Sequence, residues 1–139
     1  MQSFSPSVFP RIILLSALIL LLFSGCKKQE YEDRIVGVWE VVNVADIDPG
    51  QGEVWEFFDN NIDVFRYPIG DYENRYLYDN GKYVVERKGL TMYLKLANLK
   101  NSTFNTSWDI FKLDRDNLII SIEVPGGIFY KEFVKKSGN

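Results

Sequence analysis

From Ile35 to Lys136 the chain is cut into short runs of β-branched, aromatic and aliphatic residues by turn formers. The spacing is roughly 8–12 residues, which is the signature of consecutive strands rather than of helices. The pattern predicts strands at Ile35–Val44, Glu53–Phe58, Ile62–Tyr67, Tyr72–Tyr78, Lys82–Arg87, Leu90–Ala97, Thr106–Leu113, Leu118–Val124 and Ile128–Lys136. Between them lie Asp46–Gly52, Asp59-Asn60-Asn61, Pro68–Asp71, Asp79-Asn80-Gly81, Lys88-Gly89, Asn98–Asn105, Asp114–Asn117 and Pro125-Gly126-Gly127. These are built from the residues that favour turns, and Asn80-Gly81 carries the strongest two-residue hairpin signal. Period-two alternation is clearest where Leu90, Met92, Leu94 and Leu96 share one face against Thr91, Tyr93 and Lys95. A second case sets Trp108, Ile110 and Lys112 against Ser107, Asp109, Phe111 and Leu113. No helical period is evident after residue 25. Hairpin-length connections exclude parallel crossover units, which need a dozen or more residues each. The expected fold is therefore all-β, an antiparallel up-and-down meander of about eight strands. Closing it into a barrel removes the two unpaired edges.

Composition narrows the chemistry. The sequence has no His, which removes the commonest general base and imidazole metal ligand. One Cys and no His leave no zinc cluster, and Ser and Asp without His cannot form a hydrolase triad. The net charge of −3 is mixed in sign and argues against a nucleic-acid partner, which selects basic patches. Asp59-Asn60-Asn61-Ile62-Asp63 begins like a calcium loop, but Val64 stands where Gly is required and Gly70 where Glu is required. A β-turn accounts for it. Glu53 and Glu56 are read as solvated strand carboxylates, and Asn101-Ser102-Thr103 and Asn105-Thr106-Ser107, which match the glycosylation acceptor pattern, as loop residues. No catalytic, metal or cofactor site emerges, and the expectation is a protein that is not an enzyme.

The aromatic content, 3 Trp, 8 Tyr and 10 Phe, matters more. Trp55, Phe57, Phe65, Tyr67, Tyr76, Tyr78, Tyr83 and Trp108 are candidates to line a cavity, mixing apolar surface with hydroxyl and indole donors. Eight strands enclose a space that is either packed or wide enough for one small ligand, and filling the barrel completely is the favoured role for these residues. Arg66 and Arg75 alternate with aromatics in neighbouring strands, where they could reach an anionic ligand head group, though a surface position is the favoured expectation.

The N-terminal segment stands apart. Arg11 precedes Ile12–Phe23, an apolar run interrupted only by Ser16. It is shorter than the roughly 20 residues of a membrane span and has the length of a signal-peptide core. Ser24-Gly25 then leads into Cys26, the only cysteine. Leu20-Leu21-Leu22-Phe23-Ser24-Gly25-Cys26 resembles the lipobox of bacterial lipoproteins, with Phe23 where that family places Leu. The resemblance implies a signal peptide at residues 1–25 and a mature chain starting at Cys26. Its thiol would carry diacylglycerol and its amino group a further acyl chain such as palmitate. Several acyl chains anchor stably where one does not. Residues 26–34 are polar and charged, and are expected to form a disordered tether. No Asp follows Cys26, so the resemblance implies the outer membrane, with the leaflet open.

Within the strands, Gly37-Val38-Trp39 resembles the Gly-x-Trp signature of lipocalins. Gly81-Lys82-Tyr83, Trp108–Leu113, Leu118-Ile119-Ile120 and Tyr130–Lys135 follow in the order found in lipocalin-like domains of small bacterial lipoproteins. In that family the Trp closes one end of the barrel against a basic side chain from late in the chain, which here implies a barrel-closing role for Gly37 and Trp39. The domain expected is a lipocalin-like barrel over residues 35–136. It would be membrane-anchored through Cys26 and bind a small apolar or amphipathic ligand through residues such as Trp55, Phe57, Phe65, Tyr76, Tyr83 and Trp108. The alternative is a solid barrel that binds a partner protein or glycan through its loops and exposed aromatics.

Overall fold

A computed structural model describes residue 13, residues 26–42 and residues 48–137. The predicted signal peptide, apart from Ile13, and the segment 43–47 lie outside the described residues. Eight strands follow in order: β1 Gly37–Val41, β2 Gln51–Phe58, β3 Asn61–Pro68, β4 Tyr76–Lys88, β5 Thr91–Ala97, β6 Ser107–Leu113, β7 Asn117–Val124 and β8 Gly127–Lys135. Each pairs antiparallel with its chain neighbours, and β1 pairs with β8 to close the barrel. At that seam Trp39 faces Lys135 and Val41 faces Phe133. Closure leaves no strand edge exposed.

The turns show how the sequence sets register. Asp59 and Asn60 both have positive φ, 45° and 60°, and join Phe58 to its partner Asn61. A two-residue hairpin with both central residues left-handed matches strand twist, and Asp and Asn tolerate that conformation. Asn80-Gly81 behaves otherwise. It is not a turn but lies inside the 13-residue β4, which pairs with β3 through its first half and β5 through its second. A Cβ at Gly81 would lie 2.5 Å from the Ala97 carbonyl oxygen, so glycine is there for close strand approach. The expected strand at Tyr72 is a short 3-10 helix, Tyr72–Asn74.

Two bulges redirect side chains. Tyr78 is the extra residue opposite the Val64/Phe65 step, and Phe111 the extra residue between Ile110 and Lys112. One added residue inverts the phase of everything beyond it. Lys112, which alternation sets on one face with Trp108 and Ile110, is therefore exposed while those two are buried, and Leu113 is buried in its place. Leu90, expected in register with Met92, sits in the β4–β5 turn and is exposed.

The tether is also different from expectation. Residues 26–35 form a helix, α1, not a disordered coil. Lys28–Glu32 at 3.2 Å and Glu30–Arg34 at 2.6 Å are i,i+4 ion pairs, and Gln29 Nε2 donates to Asp33 Oδ1 at 2.9 Å. Each such pair adds only a few tenths of a kcal/mol, and so short a helix is marginal alone. Packing decides the outcome. Tyr31 and Ile35, one turn apart, lie on the barrel core, and Ile35 is fully buried.

Candidate functional site

The two barrel ends are built differently. At the end where β1 begins, α1 lies against the barrel and its last carbonyls are met by side chains. Trp39 Nε1 donates to the Ile35 carbonyl at 2.7 Å, and Lys135 Nζ donates to the Arg34 carbonyl at 3.0 Å. A cation at a helix C-terminus also answers its dipole. Lys135 Nζ stands 4.9 Å from the centre of the Trp39 ring. Burial pulls its ammonium below the ordinary lysine range, opposed by the charge of Asp116. Gly37, at φ 130°, leaves room for this arrangement, since a Cβ there would lie 2.8 Å from Lys135 Cε. Below Trp39 the interior is filled by Phe57, Ile62, Tyr83, Leu94 and Leu118, with the Phe57 and Tyr83 rings edge-to-face at 5.0 Å. This end is sealed.

The opposite end holds a cavity of about 340 Å³. Its apolar wall comes from Trp55, Val64, Leu99, Phe104, Ile122, Val124 and Phe129, and its polar wall from Glu53, Arg66, Tyr78, Asp79, Asn101 and Thr103. The volume falls near the lower end of the range for small-molecule pockets, about 300–1,000 Å³. Phe104 bridges the wall. Its ring centre is 6.2 Å from Trp55, 5.3 Å from Trp108 and 6.3 Å from Phe129. The loop that carries it is pinned by Asp79, a buried carboxylate that accepts backbone N–H bonds from Lys100 at 3.0 Å and Asn80 at 2.8 Å.

Charge is buried beside the cavity. The Glu53 side chain is 4 % exposed, Lys131 1 % and Arg66 13 %. Glu53 Oε1 accepts from Trp55 Nε1 at 2.7 Å and lies 3.4 Å from Lys131 Nζ, while Oε2 accepts from Arg66 Nε at 3.1 Å. Lys131 Nζ is 5.4 Å from the Trp55 ring and 5.7 Å from the Phe104 ring. Arg66 stacks on Tyr78 with its guanidinium carbon 3.6 Å from the ring centre. Buried charges persist where each is met by an opposite charge or hydrogen bonds, and this cluster meets that condition.

Of the aromatic residues singled out from the sequence, Trp55 and Tyr78 line the cavity. Phe57, Tyr83 and Trp108 are buried in the core. Phe65 and Tyr76 are corrections to the expected ligand-facing set. Phe65 falls on the face of β3 opposite Val64 and Arg66, with Arg75 5.9 Å from its ring, and Tyr76 is 50 % exposed at the start of β4. Tyr67 also points outward. It is buried against Tyr72 and its hydroxyl donates to Glu40, and burial together with that carboxylate raises its pKa far above the tyrosine range. Glu53, expected at the surface, is buried in the cavity wall, Arg66 is partly buried there, on the side of its head-group alternative, and Arg75 is exposed. Lys131 was not singled out as a site residue.

Cys26 is exposed at the first described turn of α1. Among the described residues no three His, Cys, Asp or Glu side chains converge as a metal site, and no helix is long and apolar enough to cross a membrane. Fold and site together define a closed eight-stranded antiparallel barrel, sealed at one end by a helix and hollow at the other. The chain matches no protein-family model, and no curated protein matches it in sequence.

Proposed function

We propose that this protein is a lipid-anchored, lipocalin-like lipoprotein of the bacterial envelope that holds a small apolar or amphipathic molecule and is not an enzyme. The observation that carries the binding role is the cavity at the open end, where Trp55, Phe104 and Phe129 face the Glu53–Arg66–Lys131 cluster. Aromatic walls with a few fixed polar groups are what small-ligand sites require. The lipocalin-like reading is supported by Gly37, Trp39 and Lys135 meeting at the sealed end.

Anchoring rests on the run Ile12–Phe23 followed by Ser24-Gly25-Cys26. Acylation of Cys26 would fix the barrel at the outer membrane. α1 spans about 15 Å and ends against the sealed end, which supports an arrangement with the lipid on that side and the cavity opening away from it. A second reading, a scaffold for a partner protein or glycan, draws on the exposed Ile69, Tyr76 and Leu77 near the cavity mouth.

Titrating the purified protein with fatty-acid and retinoid-like fluorophores while following tryptophan emission separates the two. Saturable quenching supports the carrier. Absence of binding across the panel, with a stoichiometric protein captured from membranes by the lipidated form, supports the scaffold. Intact mass of the native protein tests the anchor, and finding residues 1–25 still attached would overturn it.

A further inference from the structure

The head group of the ligand follows from one edge of Arg66. This step rests on the cavity being a binding site. Arg66 points into the cavity wall and is held on two sides. Its Nε donates to Glu53 Oε2 at 3.1 Å, and one face stacks on Tyr78 at 3.6 Å. The guanidinium plane is thereby fixed. Its outer edge, Nη1 and Nη2, carries the remaining four N–H donors. Among the described residues that edge meets only Asp48 Oδ2, 3.9 Å from Nη1, beyond hydrogen-bond distance. Asp48 is itself 84 % exposed in the β1–β2 connection, so this contact is weak and exchangeable.

A largely buried guanidinium whose pre-oriented outer edge makes no hydrogen bond among the described residues is matched to a planar two-oxygen acceptor. The geometry points to a carboxylate ligand with a compact apolar body. Its acid group lies on the Nη edge of Arg66 in place of Asp48, and its body lies against Trp55, Phe104 and Phe129. A cavity of about 340 Å³ suits a short acyl chain or a single ring system rather than a long lipid. Glu53 plays the positioning role, since it aims the arginine without occupying the edge that the ligand uses.

Calorimetric titration of the purified protein with matched pairs tests this: octanoate against octanol, and phenylbutyrate against phenylbutanol. The acids are expected to bind at least about ten-fold tighter than the alcohols, as for hydrogen bonds to a charged group. Arg66→Gln should erase that preference, bringing acid and alcohol affinities within about two-fold of each other. Asp48→Asn, at an exposed position, should tighten acid binding by about three-fold with no change for the alcohols. Equal affinity of acid and alcohol for the native protein overturns the carboxylate assignment while leaving the cavity a binding site. No binding of either class overturns both. If Arg66→Gln loses its fold by circular dichroism, Asp48→Asn decides, and unchanged acid affinity in that variant counts against the assignment.

Discussion

Replacing Glu53 by Gln tests whether the charges beside the cavity are buried in the way the distances indicate. Glutamine keeps the volume and one acceptor oxygen, so Trp55 Nε1 retains a partner. What is lost is the negative charge between Arg66 Nε at 3.1 Å and Lys131 Nζ at 3.4 Å. At an effective dielectric of about 20, one charge pair at this separation is worth about 5 kcal/mol. Relief of the desolvation of Glu53 itself offsets part of the loss. The net expected destabilisation is about 3 kcal/mol, at the lower end for breaking a buried pair, or roughly 15 °C in Tm for a barrel of this size. Urea unfolding followed by tryptophan emission, with m held as a check, measures it. Glu56→Gln on the outward face of β2 is the control and should change stability by under about 0.5 kcal/mol. Adding Lys131→Met to Glu53→Gln should cost less than the sum of the single changes, because the buried cation goes with its carboxylate. If Glu53→Gln and Glu56→Gln cost the same, within about 1 kcal/mol of native, the cluster is solvated and the reasoning fails.

Gly81→Ala is expected to destabilise by about 2 kcal/mol, as for an overpacked contact, because the new methyl would meet the Ala97 carbonyl oxygen at 2.5 Å. Chemical denaturation checks it, and a neutral result would remove the close-approach explanation. Asp114 gives a pH prediction. Its Oδ1 accepts backbone N–H bonds from Asp116 at 2.9 Å and Asn117 at 2.8 Å, and these hold its carboxyl far below the usual carboxylate range. A folded pKa below the unfolded value of 3.8 contributes stability that is complete above that pH and lost as pH falls through and below it. Asp114→Asn should flatten this part of the acid unfolding curve, and an unchanged acid limb would contradict the assignment.

Most of the barrel is legible in the sequence because strands of period two joined by short turns leave few topologies open. The failures have local causes. Asn80-Gly81 has the composition of a hairpin turn, but composition does not distinguish a glycine needed for positive φ from one needed for close approach, and Ala97 lies far along the chain. The bulges at Tyr78 and Phe111 are set by pairing with neighbours, so the inversion that exposes Lys112 and buries Leu113 cannot be read from β6 alone. The helix 26–35 was signalled by the i,i+4 charge pairs and the Tyr31/Ile35 spacing, which the polar composition masks. The buried charges were legible too. Glu53 shares its phase with Trp55 and Phe57, Arg66 with Ile62 and Val64, and Lys131 with Phe129 and Phe133, so strict alternation places all three inward. Reading aromatic character as inward-facing put Phe65 on the wrong side, and reading charge as exposure favoured the surface for Arg66 over its head-group alternative. The asymmetry between a sealed and a hollow end needs the three-dimensional positions of α1 and the Phe104 loop.

The three tryptophan indoles offer the most direct test of that asymmetry. Each donates within the molecule, Trp39 to Ile35, Trp55 to Glu53 and Trp108 to Phe104. Indole N–H resonances followed by nitrogen-edited NMR during titration with phenylbutyrate should show Trp55 shifting saturably while Trp39, sealed beneath α1, stays in place. A Trp39 resonance that moves while Trp55 does not, or three unmoved indoles at saturating acid, would contradict a barrel hollow at this end and closed at the other.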